Sequence, residues 1–248
     1  VDVVPGAARS AKAEQTRRTI VDAALRLIRR DGYDATTMRA IAAEADVSLG
    51  SAYYYFSSKE HLVQAFYDQL QTEHAERAAG QLAADSTFAG RLRGVLLAWV
   101  DIATDAHEFA AQFFKNAADP ASPLSPFSPE STPARDSSIA LYRDVVRGAD
   151  IKLSAELRDE LPDLLWLLQM GVVLYWVHDT SVGQARTRLL VEQIVPIVDK
   201  LVRMARLPVV RGVVEDVLSL VNSLRPDPSE VVPAPNQRRD GTRAAARR

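Results

Sequence analysis

The chain contains no cysteine, which excludes disulfides and thiolate metal sites and fits a reducing, cytoplasmic setting. Histidines are scarce. His107-Glu108 resembles the start of a zinc-protease helix, but the residue four after His107 is Ala111, so the second ligand is missing. There is no Gly-x-Ser-x-Gly and no P-loop, and nothing assembles a nucleophile, a base and an oxyanion site; the reading is of a non-enzyme with no cofactor and no metal. Charge of one sign is also lacking, with a formal net charge of -2, so any basic surface must be local. No segment near the start joins a basic run to a long apolar one, so a secretory signal is not expected. The longest apolar stretch, Leu164 to Val177, is interrupted by Gln169 and falls short of the about 20 residues a membrane span needs.

What is present points to helices. Nearly half of the residues, 47%, are hydrophobic, and Ala, Leu, Val and Arg dominate over aromatics at 7%. Residues 1–13 read as a flexible arm containing Arg9 and Lys12. A first helix is expected from Glu14 to Arg30, with Ile20, Ala24, Leu27 and Ile28 at helical spacing and Asp31-Gly32 as its stop. Thr37 caps a short second helix, Met38 to Ala45; Asp46-Val47 turns the chain; Ser48 caps a third helix to Tyr55. Ser57 and Glu60 have capping-box spacing at the head of a long fourth helix through Leu62, Phe66 and Leu70. Further helices are expected near 87–105, 107–118, 136–148, 160–180, 185–207 and 209–224. Five prolines between Asp119 and Ser137 predict a mobile loop there. Residues 225–248, Pro-rich and then Arg-rich, read as a disordered basic tail.

Three short helices with a four-residue turn between the second and third describe a helix-turn-helix over residues 14–60. Apolar residues of the first two helices must hold the third at a fixed angle so that its start can enter a major groove, and Ile41, Ala42 and Val47 supply that lock. Ser48, Leu49, Gly50 and Ser51 keep the start of the third helix small enough for close approach to DNA. Tyr53 and Tyr54 offer hydroxyls to phosphates, while Tyr55 is the partly buried member of the trio. Lys59 places a positive charge beside helix-start amides, a ready anion site. Arg17 and Arg18 read more readily as solvated helix residues than as DNA ligands.

The segment from Ile20 to Leu62, and above all the run Ser48 to Lys59 with its Tyr-x-x-Phe and following Lys, resembles the N-terminal domain of TetR/AcrR family transcriptional regulators. Two positions depart from the pattern: Asp46, where many members carry Gly, and Leu49, often polar or basic in relatives. The resemblance implies that Thr37, Tyr53, Tyr54 and Lys59 hold phosphates, and that Arg39, Ser48, Leu49, Gly50, Ser51 and Tyr53 lie near base edges. It also implies that Phe56 pins the fourth helix to the reading head. The expected fold is all-α: an N-terminal three-helix DNA-binding domain, then a helical ligand-binding and dimerisation domain over residues 61–224.

Leu164 to Val177 is apolar on nearly every face and must be covered on both sides. Leu190, Ile194, Ile197 and Leu201 form a stripe on the next helix, and Pro196 should bend that helix locally. In the resembling family the two corresponding helices form a four-helix dimer interface, so a homodimer through helices near 160–180 and 185–207 is expected. One large monomeric core is the competing reading. Aromatic and soft residues suggest an apolar pocket lined by Trp99, Phe113, Trp166, Met170, Tyr175 and His178, with Phe109, Phe114 and Trp176 nearby and Gln112, Asn116 and Gln169 as polar groups. His61 and His74 read as solvent-facing, and His178 equally suits a cap. The functional expectation is a repressor released from a palindromic double-stranded DNA operator by a small, largely apolar effector. The alternative is an architectural or partner-binding DNA protein without a ligand.

Overall fold

The computed structural model describes residues 5–104, 107, 114, 117–119, 122 and 125–205, with side chains from residue 12 onward. The described residues belong to the compact unit 1–206; the expected helix near 209–224 and the tail 225–248 lie outside them. Among the described residues every regular element is helical: α1 (Pro5–Asp31), α2 (Met38–Glu44), α3 (Leu49–Tyr55), α4 (Lys59–Ala84), α5 (Phe88–Ala103), α6 (Thr132–Arg147), α7 (Ala155–Val177) and α8 (Ala185–Met204).

Local rules explain most of the boundaries. Gly32, at φ +86°, ends α1 in the left-handed conformation that glycine enters without penalty, and its N–H donates to the Ile28 carbonyl at 3.0 Å. Thr37 and Ser48 cap α2 and α3, each hydroxyl oxygen accepting the backbone N–H three residues on. Asp46, with φ 53°, makes the turn between them in the conformation most relatives assign to glycine. Two expectations fail here. The flexible arm is helical from Pro5 onward: proline suits a first helical position, and the following alanines are strong helix formers. The Ser57–Glu60 capping box does not form, because α4 starts at Lys59 after Ser58 and the Ser57 hydroxyl instead meets His61 Nδ1 at 2.7 Å.

The reading head has its own core. Ile20, Ala24, Leu27, Ile41, Ala42, Ala52, Phe56, Leu62 and Ala65 are buried together, so α1 to α3 close over the first turns of α4. Burying these side chains is the main stabilising term, at about 25 cal/mol per Å² of apolar surface. The expected pin, Phe56, is part of this core, and Arg17 lies over its ring at 5.3 Å.

In the body, α4 packs on α5 and α6, α6 on α7, and α5 on α8. Arg91, buried without a carboxylate, donates to the backbone carbonyls of Leu82 and Asp85 at the end of α4, and of Asp144 and Val145 near the end of α6. A cation thus satisfies orphan carbonyls at two helix ends. Gly148 is needed beside it, since a Cβ there would come within 2.2 Å of the Arg91 guanidinium. His74 is wholly buried rather than solvent-facing, its ring Nε2 paired with the Val95 carbonyl at 2.9 Å. Burial lowers its pKa despite that bond.

The helix expected at 160–180 begins earlier, at Ala155, behind a Ser154 cap. Its 23 residues are long and apolar enough to cross a membrane by those measures alone. Leu157, Leu161, Leu165 and Val172 are nevertheless buried within the bundle. The buried Asp179 joins α7 to α8, accepting from the N–H and hydroxyl groups of Ser181 and Thr187. Burial pushes its pKa up, but these four hydrogen bonds prevail and hold the carboxyl well below the usual range.

Candidate DNA-reading head and ligand cavity

The start of α3 and the turn before α2 form one exposed surface. Thr37, Arg39, Ser48 and Gly50 are exposed, and Tyr53 and Tyr54 stand out at 50% and 83% exposure while Tyr55 is half-buried. Capping uses only the acceptor side of the Thr37 and Ser48 hydroxyls, so each keeps an O–H donor that can meet a phosphate or base edge. Ser51 and Leu49 are half-buried, and Leu49 packs against the reading-head core rather than standing free. Gly50 lies in ordinary helix, where a Cβ would meet only the Ser48 hydroxyl at 4.0 Å. Nothing inside the protein requires glycine there.

Lys59 occupies a different place from a free anion ligand. Its ammonium donates to the carbonyls of Tyr33 and Thr36 and sits over the Tyr33 ring, tying the turn before α2 to the head of α4. Burial lowers its pKa, against the pull of Glu60 and Asp34. The Tyr33 hydroxyl donates to Glu60 at 3.0 Å, closing the same joint.

The body encloses a cavity of about 780 Å³, within the size of small-molecule sites. α4 contributes Phe66, Tyr67, Leu70 and Gln71, α5 contributes Trp99, and α7 contributes Trp166, Gln169, Met170 and Trp176. Of the expected pocket residues, Trp99, Trp166 and Met170 line it, and Phe113 lies outside the described residues. Tyr175 and His178 do not line it. On a helix of 3.6 residues per turn, positions 169, 173 and 176 share the cavity face, whereas 175 and 178 point away; Tyr175 is 42% exposed and His178 is the exposed cap of α7.

Sequence reasoning also missed one wall. The expected mobile loop includes residues 125–131, which form successive hydrogen-bonded turns with Ser125, Ser128 and Ser131 buried, and α6 begins at Thr132, with Pro133 in its first turn. Arg135 holds these turns by donating to the Pro126 and Ser128 carbonyls and to the Thr132 hydroxyl. Five prolines marked the stretch as irregular but gave no sign that its serines would be buried.

A model of the "Bacterial regulatory proteins, tetR family" matches residues 20–66, and a "Tetracyclin repressor-like, C-terminal domain" model matches residues 91–220, more than half of the chain. The chain belongs to the TetR family. This is a family of regulators rather than enzymes. Its TetR-type reading head is 49% identical over 50 residues to the HTH-type transcriptional repressor KstR of Rhodococcus jostii, covering 20% of this chain and 24% of that protein. It is 36% identical over 87 residues to the transcriptional regulator TtgR of Pseudomonas putida, covering 35% of this chain and 41% of that one. The chain therefore matches about a quarter to two-fifths of these curated relatives' lengths, mainly at the reading head. Solved TetR-type structures extend the likeness to the whole fold. A regulator from Nitrosomonas europaea has a TM-score of 0.57 at 21% identity, covering 73% of this chain and 96% of that one. FadR from Bacillus subtilis, determined with stearoyl-CoA, has a TM-score of 0.58 at 17% identity, covering 72% and 96%.

Proposed function

We propose that the chain is a homodimeric transcriptional repressor that binds a palindromic operator and leaves it when a small, largely apolar molecule fills the body cavity. The observation that carries this reading is the double use of α4. Its first turns belong to the reading-head core through Leu62 and Ala65, and the next two turns wall the cavity through Phe66, Tyr67, Leu70 and Gln71. A ligand that shifts this helix shifts the reading head with it. It can do so only by binding the two conformers unequally.

Thr37, Arg39, Ser48, Leu49, Gly50, Ser51, Tyr53 and Tyr54 are the residues we place against DNA, with Lys59 holding their support and keeping a third N–H for a phosphate. The dimer is supported by α8. Leu190, Ile194, Ile197, Leu201 and Met204 make one apolar stripe, with Ile197, Leu201 and Met204 46–59% exposed, while Val191, Val195 and Val202 fill the opposite, buried face. Two-fold pairing would set two heads about 34–36 Å apart, one turn of the duplex. The place of action is the compartment that holds the DNA, the cytoplasm of a bacterium.

Selection of bound sequences from random duplex DNA at two salt concentrations tests the reading. An inverted repeat that survives the higher salt is expected. Binding without consensus that collapses as salt rises would leave only charge-driven association.

A further inference from the structure

Two buried donors in the cavity wall have no partner: Gln169 Nε2 and Trp176 Nε1. Both residues line the cavity, at 1% and 3% exposure. They stand seven residues apart on one face of α7, two turns or about 10 Å along the axis. The Gln169 amide oxygen is already occupied, accepting from the Tyr142 hydroxyl at 2.7 Å and from Ser138 at 3.5 Å. That bond fixes the amide so that its NH₂ is the end left over. An indole N–H can only donate. A buried donor without an acceptor is destabilising by roughly 1–3 kcal/mol, so a wall that holds two is incomplete.

Charge narrows the missing group. Among the described lining residues Arg135 is the one cation, and its guanidinium is engaged by the Pro126 and Ser128 carbonyls and the Thr132 hydroxyl. No carboxylate is among them. An anionic head group would enter this apolar space with no uncommitted cation to receive it, and burying such a charge unpaired is prohibitive.

We infer that the effector is an uncharged, largely apolar molecule bearing acceptor oxygens of the ketone, ester or lactone kind, one received by Gln169 and a second within reach of Trp176. This deepens the proposed function and rests on the cavity being the effector site. The chain has three tryptophans, Trp99, Trp166 and Trp176, and all three line the cavity, so intrinsic fluorescence reports occupancy without a label.

The test titrates the full chain with three probes of equal chain length: a medium-chain methyl ketone, the parent alkane and the carboxylate. The ketone should bind about fivefold tighter than the alkane, the yield of one net hydrogen bond, with the carboxylate weakest. In the double variant Gln169→Met with Tyr142→Phe, which removes both ends of the buried bond, the ketone's preference should vanish while the alkane binds as before. Trp176→Phe, which keeps an aromatic ring, supplies a second reading should the double variant fail to melt cooperatively; it should weaken the preference for a probe with two carbonyls. Equal binding of ketone and alkane by the wild type would overturn the acceptor assignment and leave the cavity standing. Tightest binding by the carboxylate would overturn the uncharged assignment. Binding of no probe would overturn the cavity as effector site, and the inference with it.

Discussion

Gly50 shows how a single residue separates folding from binding. Glycine weakens a helix, yet a Cβ here would meet open space on the protein's side. The demand must come from outside, from a DNA backbone brought close to the start of α3. Gly50→Ala should therefore raise the unfolding free energy by roughly 0.5 kcal/mol while lowering operator affinity by about tenfold or more. Urea melts and fluorescence anisotropy on a labelled operator read the two effects, and a change of the same sign in both would refute the argument. Asp179 makes the contrasting case, a residue that matters only to the fold. Its carboxylate is held below the ordinary pKa by four hydrogen bonds that outweigh burial. The stability it contributes is present above the unfolded value of about 4 and is lost as pH falls through the lower folded value. Asp179→Ala should cost about 3 kcal/mol near neutrality, with the gap to wild type closing only below about pH 4. Denaturant melts across pH would show this; a gap that closed at higher pH would point to another group.

At the scale of the element, α8 has two apolar faces with different fates. Val191, Val195 and Val202 are buried in the bundle, and Ile197 and Leu201 are exposed. Ile197→Glu leaves the inner face untouched, so the fold should persist while the dimer dissociates. Sedimentation should show a monomer with an unchanged helical spectrum, and operator affinity should fall by at least about a hundredfold as one of two half-sites is lost. A variant that stays dimeric would move the seam elsewhere. This stripe was legible in sequence because its spacing of 4, 3 and 4 lies on one helix. The reading head was legible for the same reason: Gly32, Thr37 and Ser48 act on neighbours three or four residues away. His74 was misread although its signal was present, since it continues Phe66 and Leu70 at intervals of four and leads on to the buried Ala78. The lining of the cavity was legible only in part. The bonds that build it join Gln64 to Ser131 and Tyr142 to Gln169 across 67 and 27 positions, and no local periodicity carries such pairings.

On the scale of the whole molecule, the joints explain how one helix can serve two tasks. Lys59 and Glu60 clamp the head of α4 to the turn before α2, and Arg91 binds its tail to α6. Between these anchors the cavity wall is the part of α4 in contact with empty space rather than with a packed neighbour. A helix fixed at both ends and open along its middle transmits a push more faithfully than one that is loose throughout.

Sharing that helix makes the traffic two-way. If an occupied cavity lowers the affinity for operator by some factor, thermodynamic linkage obliges bound operator to lower the affinity for the cavity's ligand by the same factor. A titration of ligand with and without saturating operator, read through the three cavity tryptophans, should yield the same ratio as a titration of operator with and without ligand. Inside a cell this means that a dimer already seated on DNA is a poorer sensor than one adrift, so release begins mainly with the unbound pool and reaches the occupied site by depletion.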